Sequence, residues 1–284
     1  MIQAYGVRDG HLVHVAGAVD ELPAASGVVW IDLHDPTPEE EACVEALVGV
    51  DVPTRQEMAE IEESSRLYEA RDALVMTAVV INGVTEGRPS RAWATFVLTR
   101  MHLVSVRYAD PLPFRNFETK RQRHADVLTS SDRILIALLE SIVERAADVL
   151  ELVAADLNEA SNRLFIEEQE GSRRRKSKRV ENELQVLIKR LGRKFVIISI
   201  LRESLMSLSR LLSFLRAGAQ DWLANGEPAR LKQLDRDLRS LASYEAQVSS
   251  GITYLHDATL GLINLEQNRI IKAFTIAAVL FLPP

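Results

Sequence analysis

The sequence predicts a mixed α/β fold in three parts. These are an N-terminal αβα domain over residues 1–127, two long antiparallel helices over 128–227, and from 228 to 284 a stalk helix that leads into a membrane helix. Three observations predict it. Short runs rich in Val, Thr and aromatic residues, bounded by Gly, Pro and Asp, fill the first third and read as strands. From Arg133 to Glu168 neither Pro nor Gly occurs, and apolar residues recur at helical spacing. From Ala273 to Pro284 charge disappears and the chain turns apolar.

Taken in order, Ile2 to Val7 and Leu12 to Val15 flank Asp9-Gly10, a pair suited to a hairpin turn, and Val28 to Leu33 is a third strand. The next helix has a legible start. Thr37 caps, Pro38 takes the first helical position and Glu40 completes a capping box before Cys43, Leu47 and Val48. Leu74 to Ile81, Ala94 to Leu98 and His102 to Tyr108 are further strands. After Ser130-Ser131-Asp132 the residues Ile134, Leu138, Ile142, Ala146, Leu150 and Leu157 mark one long helix. A basic run, Arg173-Arg174-Arg175-Lys176-Ser177-Lys178-Arg179, separates it from a second helix. That one carries Leu184, Leu187, Leu191, Val196, Leu201, Leu205 and Leu208 and runs to about Arg216. Gly218 and Gly226-Glu227-Pro228 break the pattern. A third helix starts near Ala229 and meets no Pro until Pro283. At ~1.5 Å per residue it reaches on the order of 80 Å, a stalk whose apolar stripe must be covered by other helices or subunits.

A net charge of −6 argues against a nucleic-acid surface and is compatible with attracting cations. The single cysteine, Cys43, excludes a disulfide framework and a Cys-based zinc site. The six histidines show no zinc-motif spacing. No phosphate loop or hydrolase motif occurs, so no enzymatic activity is expected. The N-terminus has no basic start followed by an apolar run, which places the visible region on the cytoplasmic side.

Three groups of residues point to chemistry. Stepping by three and four from Asp257 gives Gly261, Asn264, Asn268, Ile271, Thr275, Ala278 and Leu282, one helix stripe that is polar or small for much of its length. Polar groups at membrane depth are costly unless they face water or partner helices, so this stripe is a pore-lining candidate. Leu255, Leu262, Leu265 and Ile270 lie off it. Glu57, Glu60, Glu62 and Glu63 crowd a stretch read as helical, where Glu57 and Glu60 share a face and supply the oxygen ligands that Mg²⁺ prefers. Finally, Arg173, Arg174, Arg175, Lys176, Lys178 and Arg179 fall beside the membrane end of the stalk if the second helix runs antiparallel to it. Together with Arg269 and Lys272 they form a surface for anionic lipid.

The stretch Gly261-Leu-Ile-Asn-Leu-Glu-Gln-Asn-Arg-Ile-Ile-Lys-Ala-Phe-Thr-Ile-Ala-Ala-Val-Leu-Phe-Leu-Pro-Pro284 resembles the first membrane helix of the CorA family of divalent-cation transporters. Glu57 to Glu69 and Leu103 to Tyr108 resemble that family too. The family's Gly-Met-Asn signature would then follow Pro284, with the chain ending inside a membrane helix. The resemblance implies an inner or plasma membrane homopentamer with self, lipid and divalent cations as partners and no nucleic acid. It implies transport of Mg²⁺, with Co²⁺ and Ni²⁺ as companions, and regulatory Mg²⁺ sites between subunits. By that analogy Glu57 or Glu60 faces Asp237, although Met58 stands where the family's sites carry an aspartate. A zinc transporter of the same superfamily is the nearest alternative, with Zn²⁺ as the ion. A non-transporting coiled-coil scaffold or signalling protein is the alternative of another class.

Overall fold

The computed structural model describes residues 1–19, 21–22, 27–60, 62, 66–123, 128–165, 177–224 and 226–281. Seven strands form one sheet: β1 (Ile2–Arg8), β2 (His11–Ala16), β3 (Val28–His34), β4 (Leu67–Ala70), β5 (Ala73–Asn82), β6 (Ser90–Thr99) and β7 (Leu103–Arg107). Their order is β2-β1-β3-β7-β6-β5-β4. Only β3 and β7 run parallel; every other neighbouring pair is antiparallel. Among the described residues six helices follow or interleave: α1 (Pro38–Val48), α2 (Arg55–Met58), α3 (Leu112–Arg123), α4 (Ser131–Phe165), α5 (Ser177–Gly218) and α6 (Glu227–Phe281). The mixed sheet followed by long helices is the architecture the sequence predicts. Strand β4 and helix α3 are additions to that reading. No helix among the described residues is long and apolar enough to cross a membrane.

The residues gather into two compact units, Met1–Asp148 with Ile200–Ala242, and Val149–Ser199 with Ser243–Pro284. In the first unit the sheet register sorts side chains by face. One face carries Ile2, Ala4, Ile31, Leu33, Val75, Val97, Val104 and Val106, all buried with Val44 of α1 and Met58 of α2. On the other face Trp30 meets Phe117 of α3 edge-on at 5.3 Å and stacks on Tyr5 at 4.5 Å, while Phe96 stacks over Phe114. Leu201, Leu205, Leu208, Leu212 and Leu215 of α5 and Ile134, Leu138 and Ile142 of α4 are buried at intervals of three and four, the stripe expected of helices laid on a core.

Helix α1 begins as its sequence dictates. Thr37 Oγ1 accepts from the Glu40 amide at 3.3 Å, and Glu40 Oε2 accepts from the Thr37 amide at 2.9 Å. The same Oε2 takes the Met1 ammonium at 2.9 Å. Burial pushes the Glu40 carboxyl up, but the ammonium and the Thr37 amide outweigh it and hold the group below its ordinary range. The helix ends at Gly49, whose φ of 73° closes the last turn with a bond to the Glu45 carbonyl.

Strand β5 pairs with β6 along its whole length, whereas β4 covers only Ala73 to Met76. Past that point α5 closes the open side. Ser204 Oγ donates to the Val79 carbonyl at 2.7 Å, and Ser207 Oγ accepts from the Val79 amide at 3.0 Å.

A buried polar network crosses the parallel pair. Asp32 and Ser105 are register partners, and Ser105 Oγ donates to Asp32 Oδ1 at 2.6 Å while accepting from Trp30 Nε1 at 3.0 Å. Arg107 Nη2 pairs with Asp32 Oδ2 at 2.9 Å, and both side chains are at most 7% exposed. Its Nη1 reaches Asp110 and the Ala109 carbonyl, and the guanidinium lies over the Phe114 ring.

In the second unit Val149, Val153, Leu157, Ala160 and Leu164 of α4, Leu184, Leu191, Ile197 and Ile198 of α5, and Val248, Ile252 and Leu255 of α6 are buried. Arg190 bonds Asp156 at 2.5 Å and Glu159 at 2.6 Å, and Lys194 lies 3.2 Å from Asp156. The Arg190 hydrogen bond outweighs burial and, with Lys194, holds the Asp156 carboxyl below its ordinary range.

Two outcomes test this packing. Arg107→Met leaves a buried carboxylate uncompensated and lowers unfolding free energy by about 3–5 kcal/mol. The Asp32→Leu/Arg107→Met double variant recovers much of that loss in denaturant titration. In the β5–β6 turn both Gly83 and Gly87 have φ of 71°, but only at Gly83 does an added Cβ meet backbone, 2.1 Å from the Arg88 carbonyl oxygen. Gly87→Ala therefore costs roughly 1–2 kcal/mol from its conformation alone. Gly83→Ala costs measurably more, and equal losses in thermal melts contradict this account.

Candidate functional site

Helix α2 is a single turn. Thr54, extended at φ −68° and ψ 162°, caps it, and Glu57 Oε2 accepts from both the Thr54 amide and Thr54 Oγ1 at 2.8 Å. Met58, 1% exposed, pins this turn to the core. The helix stops at Met58, so Glu60 lies outside it and does not share a helical face with Glu57; this corrects the longer helical stretch read from the sequence. The Ala59 and Glu60 amides bond back to α2 carbonyls, and Arg66 Nε donates to the Glu60 carbonyl. Glu57, Glu60 and Glu62 are exposed. Glu63 lies outside the described residues. Burial, then the charges of Glu57 and Asp51, push the Tyr68 hydroxyl up.

Asp237 is exposed on α6 between buried Leu234 and Leu238, and its Oδ1 accepts from Gln233 Nε2 at 2.8 Å. Among the described residues no three His, Cys, Asp or Glu side chains converge as a metal cage. Glu57 keeps Oε1 outside its capping bonds and Asp237 keeps Oδ2 outside its bond to Gln233, carboxylate oxygens of the type hard cations prefer.

On the far part of α6 the last buried residue is Thr259, whose hydroxyl bonds the Leu255 carbonyl. From Leu260 on, no described residue is buried. Asp257 is 72% exposed beside His256, 3.3 Å away. Gly261, Asn264, Asn268, Ile271, Thr275 and Ala278 are all exposed. Thr275 satisfies its own hydroxyl on the Ile271 carbonyl at 2.9 Å. Exposure is not confined to the stripe: Leu265, Phe274, Ile276 and Val279 point outward on other sides. A helix apolar all round needs lipid or neighbouring helices to cover it. Leu282 lies outside the described residues.

Arg173, Arg174, Arg175 and Lys176 also lie outside them. Lys178 and Arg179 fall in the first turn of α5, and their side chains are not described. Lys272 is exposed, and Arg269 lies 3.8 Å from Glu266.

Residues 25–284 match the family described as CorA-like Mg2+ transporter protein. The chain belongs to that family. Its members are ion transporters. The magnesium transport proteins CorA of Salmonella typhimurium and of Escherichia coli K12 are each 28% identical to it over 284 residues, covering all of this chain and 85% of theirs. Among solved structures, the complete CorA magnesium transporter of Methanocaldococcus jannaschii aligns with a TM-score of 0.74 at 16% identity, covering 99% of this chain and 83% of that one. The ZntB cytoplasmic domain of Vibrio parahaemolyticus aligns at 0.64 with 9% identity, covering 92% and 97%. At such identities these two structures speak for the fold alone.

The double use of Glu57 has a measurable consequence. Glu57→Ala loses the reciprocal cap and costs about 0.5–2 kcal/mol. Glu57→Gln keeps the cap, because an amide oxygen serves as well as a carboxylate oxygen. Equal melting temperatures for the Ala and Gln variants contradict the structural role.

Proposed function

We propose that this chain is the cytoplasmic part and pore-lining helix of a homopentameric Mg²⁺ channel in the inner or plasma membrane. Co²⁺ and Ni²⁺ are companion ions, and influx is driven by the membrane potential. The observation that carries this reading is the match over the full 284 residues to proteins named for magnesium transport. The exposed stripe from Asp257 through Ala278 supports it. Repeated around an axis, Asp257 forms an acidic collar that concentrates cations, Asn264 and Asn268 offer hydrogen bonds to a hydrated ion, and Ile271 and Leu282 form apolar constrictions. Glu57 or Glu60 of one subunit and Asp237 of the next hold a regulatory Mg²⁺ through its water shell. Anionic lipid meets the basic run from Arg173 to Arg179 and Arg269 with Lys272. Family membership favours transport over the scaffold reading. The zinc reading has only a likeness of fold behind it.

The test is ion influx into proteoliposomes holding the natural protein under an inside-negative potential. Mg²⁺ enters, and Asp257→Ala lowers the rate several-fold while leaving the melting temperature in place. Entry of Zn²⁺ with Mg²⁺ excluded overturns the ion assignment. Millimolar Mg²⁺ stabilises the oligomer, by about 2.7 kcal/mol at a hundredfold excess over Kd. Asp237→Asn removes that gain; a gain of the same size in the variant rules Asp237 out as a ligand.

A further inference from the structure

The root of α6 gathers charged side chains that neither the metal site nor the pore stripe uses. Glu227 is the first residue of α6 and follows Gly226, whose φ of 96° turns the chain into the helix. Its side chain is only 5% exposed. Arg230 Nη1 donates to Glu227 Oε2 at 2.8 Å. Arg133 of α4 comes within 3.6 Å of Glu227 Oε1, too far for a hydrogen bond, and its buried Nε has no hydrogen-bond partner. Arg230 is shared: its Nε and Nη2 make a two-pronged pair with Glu140 of α4 at 3.0 and 2.6 Å. Asp132, also of α4, accepts from the Ala224 amide at 2.6 Å and from Ser130 Oγ. Glu140 and Glu227 thus share Arg230, Arg133 approaches Glu227, and the three carboxylates of Asp132, Glu140 and Glu227 outnumber the two guanidinium groups by one. Among the described residues, Arg100 of the β6–β7 turn lies over the Trp222 ring, and Asp221 is exposed.

We propose that Glu227 is a proton-binding site through which acidification fastens the start of α6 to α4. The excess charge is relieved when Glu227 takes a proton, leaving two carboxylates and two guanidinium groups, with Arg230 held by Glu140. Burial and then Asp132 raise the Glu227 carboxyl, and they outweigh Arg230 and Arg133, so it sits above its ordinary range. The folded state therefore holds this proton more tightly than the unfolded chain does. The associated stability is complete below the ordinary glutamate value of about 4.3 and is lost as pH rises through the raised folded value.

Other groups titrate with the opposite sign. Burial lowers the pKa of His102, so its contribution is lost as pH falls below about 6.5. The depressed carboxylates, Glu40 among them, are lost only at more acid pH. A global melt mixes these effects, so the measurement has to be local and differential. Hydrogen exchange of the amides of Glu227 and of Ala229 to Leu231, corrected for the chemical rate, is read in the natural protein from about pH 7.5 down to about 4.3, the ordinary glutamate value. Protection rises several-fold as pH falls. In Glu227→Gln it is high and independent of pH. In Glu140→Gln, where Arg230 is left to Glu227 alone, the midpoint moves to lower pH. Flat or falling protection in the natural protein, or an unchanged pH response in Glu227→Gln, overturns the proposal. Should the Gln variant fail to fold, an unmoved midpoint in Glu140→Gln overturns it equally.

Discussion

The sheet depends on the pairing of Asp32 with Arg107. Strands β3 and β7 form its only parallel contact, joining the β2-β1-β3 ribbon to the β7-β6-β5-β4 ribbon. A buried carboxylate and guanidinium taken out of water are costly unless their geometry is complete. Here every direction is used. Asp32 receives Ser105 and two guanidinium nitrogens, Arg107 is further satisfied by Asp110, and Ser105 passes the chain of bonds on to Trp30. A slip of one residue between β3 and β7 would move Asp32 and Ser105 to opposite faces and break all of it. Aliphatic contacts on the other face tolerate small shifts; this network does not.

Much of this was legible in the sequence for simple reasons. The strands from Ile2 to Val7 and Leu74 to Ile81 announce themselves by β-branched residues, and the Thr37-Pro38-Glu40 start of α1 carries its own cap chemistry. The long helices follow from unbroken periodicity. Other features left no such mark. Strand β4, Leu67 to Ala70, is short and lies on the sheet edge, where propensity is weak. In β3 and β7 Asp32, Ser105 and Arg107 alternate with apolar residues, a pattern that fits a solvent face and a buried polar network alike. Asp32 faces Ser105 in register, with Arg107 opposite His34, and that pairing of strands far apart in sequence leaves no local signal. Glu57 was read on a helix together with Glu60 because nothing in Glu-Met-Ala-Glu stops one; the stop comes from the turn bonds after Met58. Glu227, set between Gly226 and Pro228, read as a helix breaker's neighbour and not as a buried acid.

The two ends of α6 meet opposite environments. Leu231, Leu234 and Leu238 are at most 4% exposed, whereas from Leu260 onward no described residue is buried and Phe274 and Val279 stand more than 70% exposed. A soluble helix normally shows one dry stripe and one wet face. The far end of α6 instead mixes apolar residues on all sides with a line of Asp, Asn and Thr. That mixture is costly for a chain alone in water and suits a helix with several neighbours of different kinds. Its stability in place is consequently a property of the surroundings as much as of its own residues.

The serine clasp on β5 has a consequence for biosynthesis. Ser204 lies 125 residues downstream of Val79, whose carbonyl it covers. At ribosomal rates of roughly 5–20 residues per second, that separation is about 6–25 s of synthesis. Once Arg107 is made the sheet is complete in sequence, and for the rest of that interval one side of its longest hairpin still offers unpaired backbone to other nascent chains. The chain therefore passes through a period of vulnerability on the ribosome that the finished molecule no longer displays. Pauses placed before codon 204 would lengthen it.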